Sequence, residues 1–307
     1  MSRHLFGLIA TPYGIAANNR GENDGNITTL QKLLWNGEIH TTVSAEAIRW
    51  AIRYYWQRKG LPVNREWLEE ENDHRWTDPR WLAWTDPDGK GKGRKRCIDD
   101  DVLGYMVAEA AKEDGSDTPG SAIKRRGPLE VTRAISLTPF AGDITFNAKS
   151  GTKTNTSLYG TEVHATRYQY GFGLTPAHLH DPAHALAVVE AVGGLSEVAG
   201  NQSRFLFDFS PEAVIFRWTE DFAPRMLYGF QLDEHGRLDL PAVLGRVLLG
   251  DLDPAELVVG LGRPDLLAES ASDALKRHGI EPVGIRQAAA TVCTRMTQDL
   301  ALPEPGT

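Results

Sequence analysis

The stretch RHLFGLIA at residues 3–10 decides how the rest of the chain can be arranged. It is a short apolar run that ends at the turn-forming residues 11–14, TPYG, and this pattern is typical of a buried strand. A helix is predicted over residues 45–56, because apolar residues recur there at helical spacing and Ser44 stands at the N-cap position. The chain therefore begins with a strand followed by a helix.

The same kinds of element return in the middle of the chain. Residues 129–137, LEVTRAISL, and 162–172, EVHATRYQYGF, alternate with the period of a half-buried sheet. A second helix is predicted at about 182–192 and a long strand at 205–218. The order βαββαβ predicts an α+β fold: a ferredoxin-like or RRM-like palm, with an antiparallel sheet and two helices.

Stretches of a different character interrupt this order. Residues 57–128 are rich in Trp, charge, Pro and Gly and predict an insertion, in which only Val102 to Lys112 has helical periodicity. Residues 17–29 predict a polar loop, and residues 143–161 are too long and polar for a tight hairpin, so they predict a projecting loop. The predicted divisions are 1–56 (first part of the palm), 57–128 (finger-like insertion), 129–226 (rest of the palm) and 227–307 (mainly helical extension).

Charge is distributed unevenly along the 307 residues, whose formal net charge is −8. Residues 1–170 hold 23 Lys and Arg against 22 Asp and Glu, whereas residues 171–307 hold 10 against 19. A polyanion partner is therefore expected to meet the first part. Basic residues cluster there, at Lys90, Lys92, Arg94, Lys95 and Arg96 and again at Lys124, Arg125 and Arg126.

Cysteine usage and apolar runs restrict the class of protein. Cys97 and Cys293 have neither CxxC nor zinc-like spacing, so no disulfide framework or structural zinc site is predicted. No apolar run is long enough for a membrane helix, and the N-terminal stretch is too short for a signal peptide. A cytoplasmic protein without a membrane partner is expected.

Five stretches of the chain together resemble the DevR/Cst family of CRISPR proteins. They occur in the family's order: NNRGE at 18–22, VSAEAIR at 43–49, IDDDVLGYM at 98–106, RFLFDFSPE at 204–212 and LYGF at 227–230. The resemblance implies a RAMP-type backbone subunit of a type I-B Cascade, with finger and thumb elements inserted in the palm. It implies no catalysis and no cofactor. The implied partners are CRISPR RNA, the target DNA strand through guide pairing, further copies head to tail and other Cascade subunits, in antiviral defence or guided transposition.

Such a subunit holds the guide through its backbone, so arginines, hydroxyls and amides are the expected contacts. Arg49 and Arg53 are four residues apart and share one face of the first helix. Each candidate also has a plainer interpretation: Ser44 as only a cap, Arg53 as a solvated charge and Asn201 as a turn residue. The RNA-binding candidates carried over are Asn19, Arg20, Ser44, Arg49, Arg53, Asn201, Gln202 and Arg204, with Lys149, Lys153 and Arg167 as thumb candidates.

Two motifs allow other chemistry. The histidines of HLHDPAH at 178–184 suit a metal, but the spacing is unusual and Pro182 disrupts it, so no metal site is predicted. Asp99, Asp100 and Asp101 could hold a divalent metal for phosphodiester cleavage, or they could stabilise a helix N-terminus. The helix interpretation is preferred. A metal-dependent ribonuclease and a transcriptional autoregulator are the rival functions.

Overall fold

The computed structural model describes residues 2–18, 20–71, 73–108, 122–148, 158–199 and 206–303. Within them the strands are β1 (His4–Ala10), β2 (Gly14–Ala16), β3 (Arg20–Asp24), β4 (Ile27–Leu30), β5 (Lys32–Trp35), β6 (Glu38–Val43), β7 (Glu66–Leu68), β8 (Asp73–Arg75), β9 (Gly104–Ala108), β10 (Ala122–Arg126), β11 (Leu129–Val131), β12 (Ala134–Ser136), β13 (Asp143–Ala148), β14 (Leu158–Thr166), β15 (Tyr168–Leu174), β16 (Ala213–Thr219), β17 (Gln231–Leu232), β18 (Leu238–Asp239), β19 (Leu257–Leu261) and β20 (Val283–Gly284). The helices are α1 (Ala45–Arg58), α2 (Leu82–Thr85), α3 (Ile98–Val102), α4 (His184–Gly194), α5 (Pro241–Leu248), α6 (Glu269–Arg277) and α7 (Ile285–Asp299).

A mostly antiparallel sheet forms the centre of the fold. Its strand order is β20-β19-β16-β1-β15-β12-β6-β5, and β11 also pairs with β15. Strand β1 lies between β15 and β16 and is antiparallel to both. All seven of its residues are buried, which explains why the stretch at 3–10 is almost wholly apolar. The predicted α+β class is confirmed.

Hydrophobic cores cover both faces of this sheet. Helices α1, α4 and α7 pack on one face, where Trp56, Val188 and Met296 join the buried aromatic residues of β15. On the other face, Leu8 and Ile215 contact a core built from residues 226–280, including α5 and α6. The extension after residue 227 is therefore an integral layer, and its strands β19 and β20 widen the sheet.

Helix α1 forms as the sequence predicts, and its position matters for the candidate site. The Ser44 hydroxyl accepts a hydrogen bond from the backbone N–H of Ala47 at 3.2 Å, which caps the helix. Ile48, Ile52 and Trp56 recur every four residues and are buried in the core. The opposite side of α1 is left to face the 57–128 insertion.

Strand pairing extends into segments that the sequence predicts as loops. Residues 17–29 contain β3 and most of β4, and residues 143–161 contain β13 and the start of β14. These strands form a second sheet of order β13-β14-β4-β3, in which β2 also pairs with β14. Strand β3 is mostly exposed, and β13 exposes Ile144, Phe146 and Ala148, so pairing of these strands relies on backbone hydrogen bonds rather than on a buried apolar face. Residues 149–157 lie outside the described residues.

Four other boundaries differ from the prediction. The strand predicted at 205–218 begins only at Ala213, because Pro211 lacks an N–H and the Phe209 N–H bonds to Ser196 O at 2.8 Å. The helix predicted from Val102 is instead α3 followed by β9, and Gly104 between them has a φ of +72°. The strand predicted at 129–137 is two short strands, β11 and β12, and the one predicted at 162–172 is divided between β14 and β15.

Candidate nucleic-acid interface

The three aspartates of α3 are buried and hydrogen-bonded to protein groups. Asp99 accepts hydrogen bonds from the Asn64 backbone N–H at 2.8 Å and from Arg53 Nε at 2.9 Å. The Arg53–Asp99 salt bridge therefore joins α1 to the insertion. Because its carboxylate is engaged on both oxygens, Asp99 has a positioning role in this arrangement.

Asp100 links Asn64 to the buried Trp81, and all three residues belong to the 57–128 insertion. Its carboxyl group accepts hydrogen bonds from Trp81 Nε1 at 2.6 Å and from Asn64 Nδ2 at 3.3 Å. Burial, followed by the nearby charge of Asp99, raises the pKa of Asp100 to about 7. Trp81 is only 2% exposed, so this hydrogen-bonded ring anchors this part of the chain.

Asp101 ties the insertion to the start of α4. It accepts hydrogen bonds from Arg125 Nη2 at 2.6 Å and His184 Nδ1 at 2.9 Å, and from the backbone N–H groups of His180 and Asp181. Burial alone would raise the pKa of Asp101, but these four donors hold it down at about 2. The HLHDPAH segment thus supplies donors to a buried carboxylate.

Cys97, Asp99 and Asp100 place their ligand atoms within 4.8 Å of one another. Burial, with the charges of Asp99 and Asp100, raises the pKa of the Cys97 thiol to about 12. Asp99 and Asp100 already accept hydrogen bonds from Arg53, Asn64 and Trp81, so a cation at this trio would have to compete with those donors.

Several of the candidate arginines bond to protein acceptors. Arg49 donates to the backbone carbonyls of Leu129, at 3.1 Å, and Leu103. Arg167 is 6% exposed and donates to Thr11 O, at 3.2 Å, and to the Glu212 carboxylate. With Arg53 already paired to Asp99, the two arginines of α1 do not present a common free face to solvent.

The remaining candidates divide between β3, the α1 cap and parts of the chain outside the described residues. Arg20 is exposed at the start of β3, opposite Leu30, and its backbone carbonyl accepts a hydrogen bond from Gln31. Ser44 caps α1 and is half-buried. Asn19, Lys149, Lys153, Asn201, Gln202 and Arg204 all lie outside the described residues.

One arginine of each predicted basic cluster lies over Trp84. The guanidinium carbons of Arg96 and Arg125 lie 5.0 and 4.6 Å from the centroids of its rings. Arg96 also bonds to His180. Lys90, Lys92 and Lys95 are exposed in the adjoining loop, so this end of the insertion carries a positive surface.

A cleft that the sequence predictions missed lies between α1 and the β7–β8 hairpin. We call it the aromatic cleft, and its volume is about 270 Å³. The signal that could have revealed it is the spacing of positions 50, 53, 54 and 57, which share the side of α1 opposite its buried residues. Its walls include Trp50, Arg53 and Tyr54 from α1, and Arg65, His74 and Trp76 from the insertion.

A family model described as "CRISPR-associated negative auto-regulator DevR/Csa2" matches residues 13–180. The matched region includes α1 and the 57–128 insertion with α3. A protein of Myxococcus xanthus (strain DK1622), described as "CRISPR-associated protein Cas7/Cst2/DevR", is 49% identical over 269 residues, covering 85% of this chain and 87% of the relative. This chain belongs to the DevR/Csa2 family. The family resemblance drawn from the sequence is therefore confirmed.

The fold of this DevR/Csa2 family member is shared with solved structures. A chain in a structure titled "CRISPR RNA-guided surveillance complex, pre-nicking" superposes with a TM-score of 0.55 at 13% identity, over 96% of this chain and 100% of the other. A second, titled "CRISPR RNA-guided surveillance complex", gives a TM-score of 0.53 at 14% identity, over 95% and 100%. Among the described residues, no helix of the family member has the length and apolar character of a membrane span.

Proposed function

We propose that this DevR/Csa2 family member is a non-catalytic subunit of a type I-B Cascade that binds CRISPR RNA. Copies would polymerise head to tail along the guide and present it for pairing with target DNA, in antiviral defence or guided transposition. The observation that carries the proposal is the likeness, over almost the whole chain, to complete chains of RNA-guided surveillance complexes, together with the family match.

We propose further that the central sheet is an RRM-like palm. The order β16-β1-β15-β12 places the fourth, first, third and second palm strands side by side, with α1 and α4 on one face. This order supports the ferredoxin-like prediction. The insertion at 57–128 would act as the finger and the segment around β13 and β14 as the thumb.

The RNA contacts are proposed for residues 19–20, the α1 cap and residues 201–204. Asn19, Arg20, Ser44, Asn201, Gln202 and Arg204 would contact the guide backbone, with Lys149 and Lys153 as thumb contacts. Within the described residues Arg53 gives one hydrogen bond, from Nε to Asp99, and its guanidinium group carries four further N–H donors, so it stays in the set. The acceptors of Arg49 and Arg167 favour supporting roles for those two residues.

The absence of catalysis is part of the proposal. A nuclease of this kind would need carboxylates free to bind a metal. The hydrogen bonds that Asp99, Asp100 and Asp101 accept from protein donors support an anchoring role instead. Incubation of the purified protein with labelled RNA and Mg²⁺ or Mn²⁺ should leave the RNA intact. Cleavage that disappears in Asp100→Asn would overturn this part.

Binding to a guide-length single-stranded RNA and to duplex DNA of the same sequence, over a series of salt concentrations, tests the main proposal. We expect tight, length-dependent RNA binding that weakens in Arg20→Ala and Arg204→Ala without a change in sequence preference. Arg246→Ala, an exposed-surface change on α5, serves as the control. Binding to RNA no tighter than to duplex DNA would refute it, and sequence-specific duplex binding would favour an autoregulator.

A further inference from the structure

Two large aromatic side chains of the aromatic cleft are more exposed to solvent than rings that only pack against the protein. Trp50 is 48% exposed and Trp76 is 44% exposed, although both rings are large and apolar. One face of Trp50 stacks on Tyr54, with ring centroids 5.2 Å apart and planes 14° apart. The stack holds the Trp50 ring in a fixed orientation, and the exposed area that remains is available to a flat ligand.

A positive charge lies beside these rings. The Arg65 guanidinium carbon is 4.9 Å from the centroid of the Trp76 ring, and Arg65 Nη1 donates to Asn64 O at 2.8 Å. Within the part of the chain that the structure describes, no carboxylate lies at salt-bridge distance from Arg65. Since the other lining arginine, Arg53, is paired with Asp99, Arg65 is the cation best able to meet an anion.

The size and polarity of the cleft restrict the class of ligand that it can bind. At about 270 Å³ it is slightly smaller than the roughly 300–1,000 Å³ typical of small-molecule pockets, so one ring system fits better than a longer ligand. Asp73 and Gln57 add a hydrogen-bond acceptor and an amide to its lining. A flat ring with N–H donors and an adjoining negative charge would match these groups, and a nucleotide of a single strand has both.

We propose that the aromatic cleft binds one unstacked nucleobase of single-stranded RNA, with the base against Trp50 and Trp76 and the neighbouring phosphate on Arg65. This inference rests on the proposed function, because it takes the ligand to be RNA. It adds a base-binding site, largely indifferent to base identity, to contacts that are otherwise made with the RNA backbone. Stacking tolerates any base, since every base has a π-face.

The test compares two RNAs of equal length and phosphate count, one with all its bases and one with abasic nucleotides throughout, each bound by the full chain. Wild-type protein should prefer the base-bearing RNA by roughly 5- to 150-fold, the range expected for one stacked base. In Trp50→Leu, which keeps an apolar side chain without a π-face, this ratio should fall severalfold. In Trp50→Phe, which restores an aromatic ring, most of it should return.

Trp67 supplies the matched control. It is 42% exposed and contacts the same His74, but it does not line the cleft. Trp67→Leu should leave the ratio unchanged, and an equal loss in Trp67→Leu and Trp50→Leu would overturn the inference. Equal wild-type affinity for the two RNAs would also overturn it while leaving backbone binding intact, whereas no binding to either RNA would refute the proposed function itself.

Discussion

Neighbouring aspartates of α3 should respond in opposite ways to the same substitution. Asp101→Asn removes a charge that four donors stabilise, and the depression of the Asp101 pKa from 3.8 to about 2 corresponds to about 2 kcal/mol in favour of the ionised form. The new amide also turns an N–H₂ group toward donors such as His184 Nδ1. Because a lost hydrogen bond to a charged group costs about 1.5–3 kcal/mol, we expect a total destabilisation of about 2–4 kcal/mol.

Asp100→Asn is the control at the adjacent position. Its folded-state pKa is raised from 3.8 to about 7, so the folded protein binds more protons than the unfolded chain between those values. Stability contributed by Asp100 therefore falls as pH rises from about 4 to about 7. The neutral amide lacks this penalty. The free energy of unfolding of Asp100→Asn, compared with that of wild type, should therefore increase by about 2 kcal/mol as the pH is raised from 5 to 8.

Urea unfolding followed by tryptophan fluorescence, at pH 5 and pH 8, measures both changes, and the chain has eight tryptophans to report. Over this window Asp101 is ionised in both the folded and unfolded states, so its deficit should stay constant with pH. A wild-type-like midpoint for Asp101→Asn would refute the anchoring argument. If the stability of Asp100→Asn relative to wild type does not increase from pH 5 to pH 8, the electrostatic argument is refuted.

Substitutions at Arg125, Gly104 and Arg20 test three other features of the structure. Arg125→Met removes one of the four donors to Asp101 and should lower the free energy of unfolding by about 1.5–3 kcal/mol in the same urea assay; a loss below about 1 kcal/mol would contradict it. Gly104→Ala should destabilise the protein by about 1–3 kcal/mol in thermal unfolding, because φ at residue 104 is +72° and an added Cβ would clash with the Arg125 carbonyl oxygen. Gly236→Ala has a similar φ of +74° but no neighbour for the Cβ, so it measures the cost of the backbone conformation without the clash. Arg20→Ala should reduce the slope of log K against log salt by about 0.7 for single-stranded RNA, and an unchanged slope would exclude a phosphate contact.

Much of the palm could be predicted because its signals are local. The apolar run at 3–10, the cap at Ser44 and the four-residue recurrence of Ile48, Ile52 and Trp56 are readable from spacing alone. The order of such elements is also contained in the chain. Strand β3 could not be recognised because its residues are polar, and β4 pairs not only with β3 but also with β14, which is distant in sequence. Strand β13 does carry the alternation of a strand, at Ile144, Phe146 and Ala148, within a segment whose overall polarity indicates a loop.

The candidate site also has features that can be predicted from local sequence and features that depend on the fold. Local patterns in the chain are enough to predict the first strand and the two palm helices, and the family resemblance and the arginines and aspartates of the first half are visible in the sequence. The packing of distant segments brings Arg53 to Asp99 and Asp101 to His184 across 83 residues, and it places Trp50 and Arg65 in the lining of one cleft. Backbone periodicity is a property of neighbouring residues, whereas charge pairing and clefts depend on which distant segments the packed core brings together.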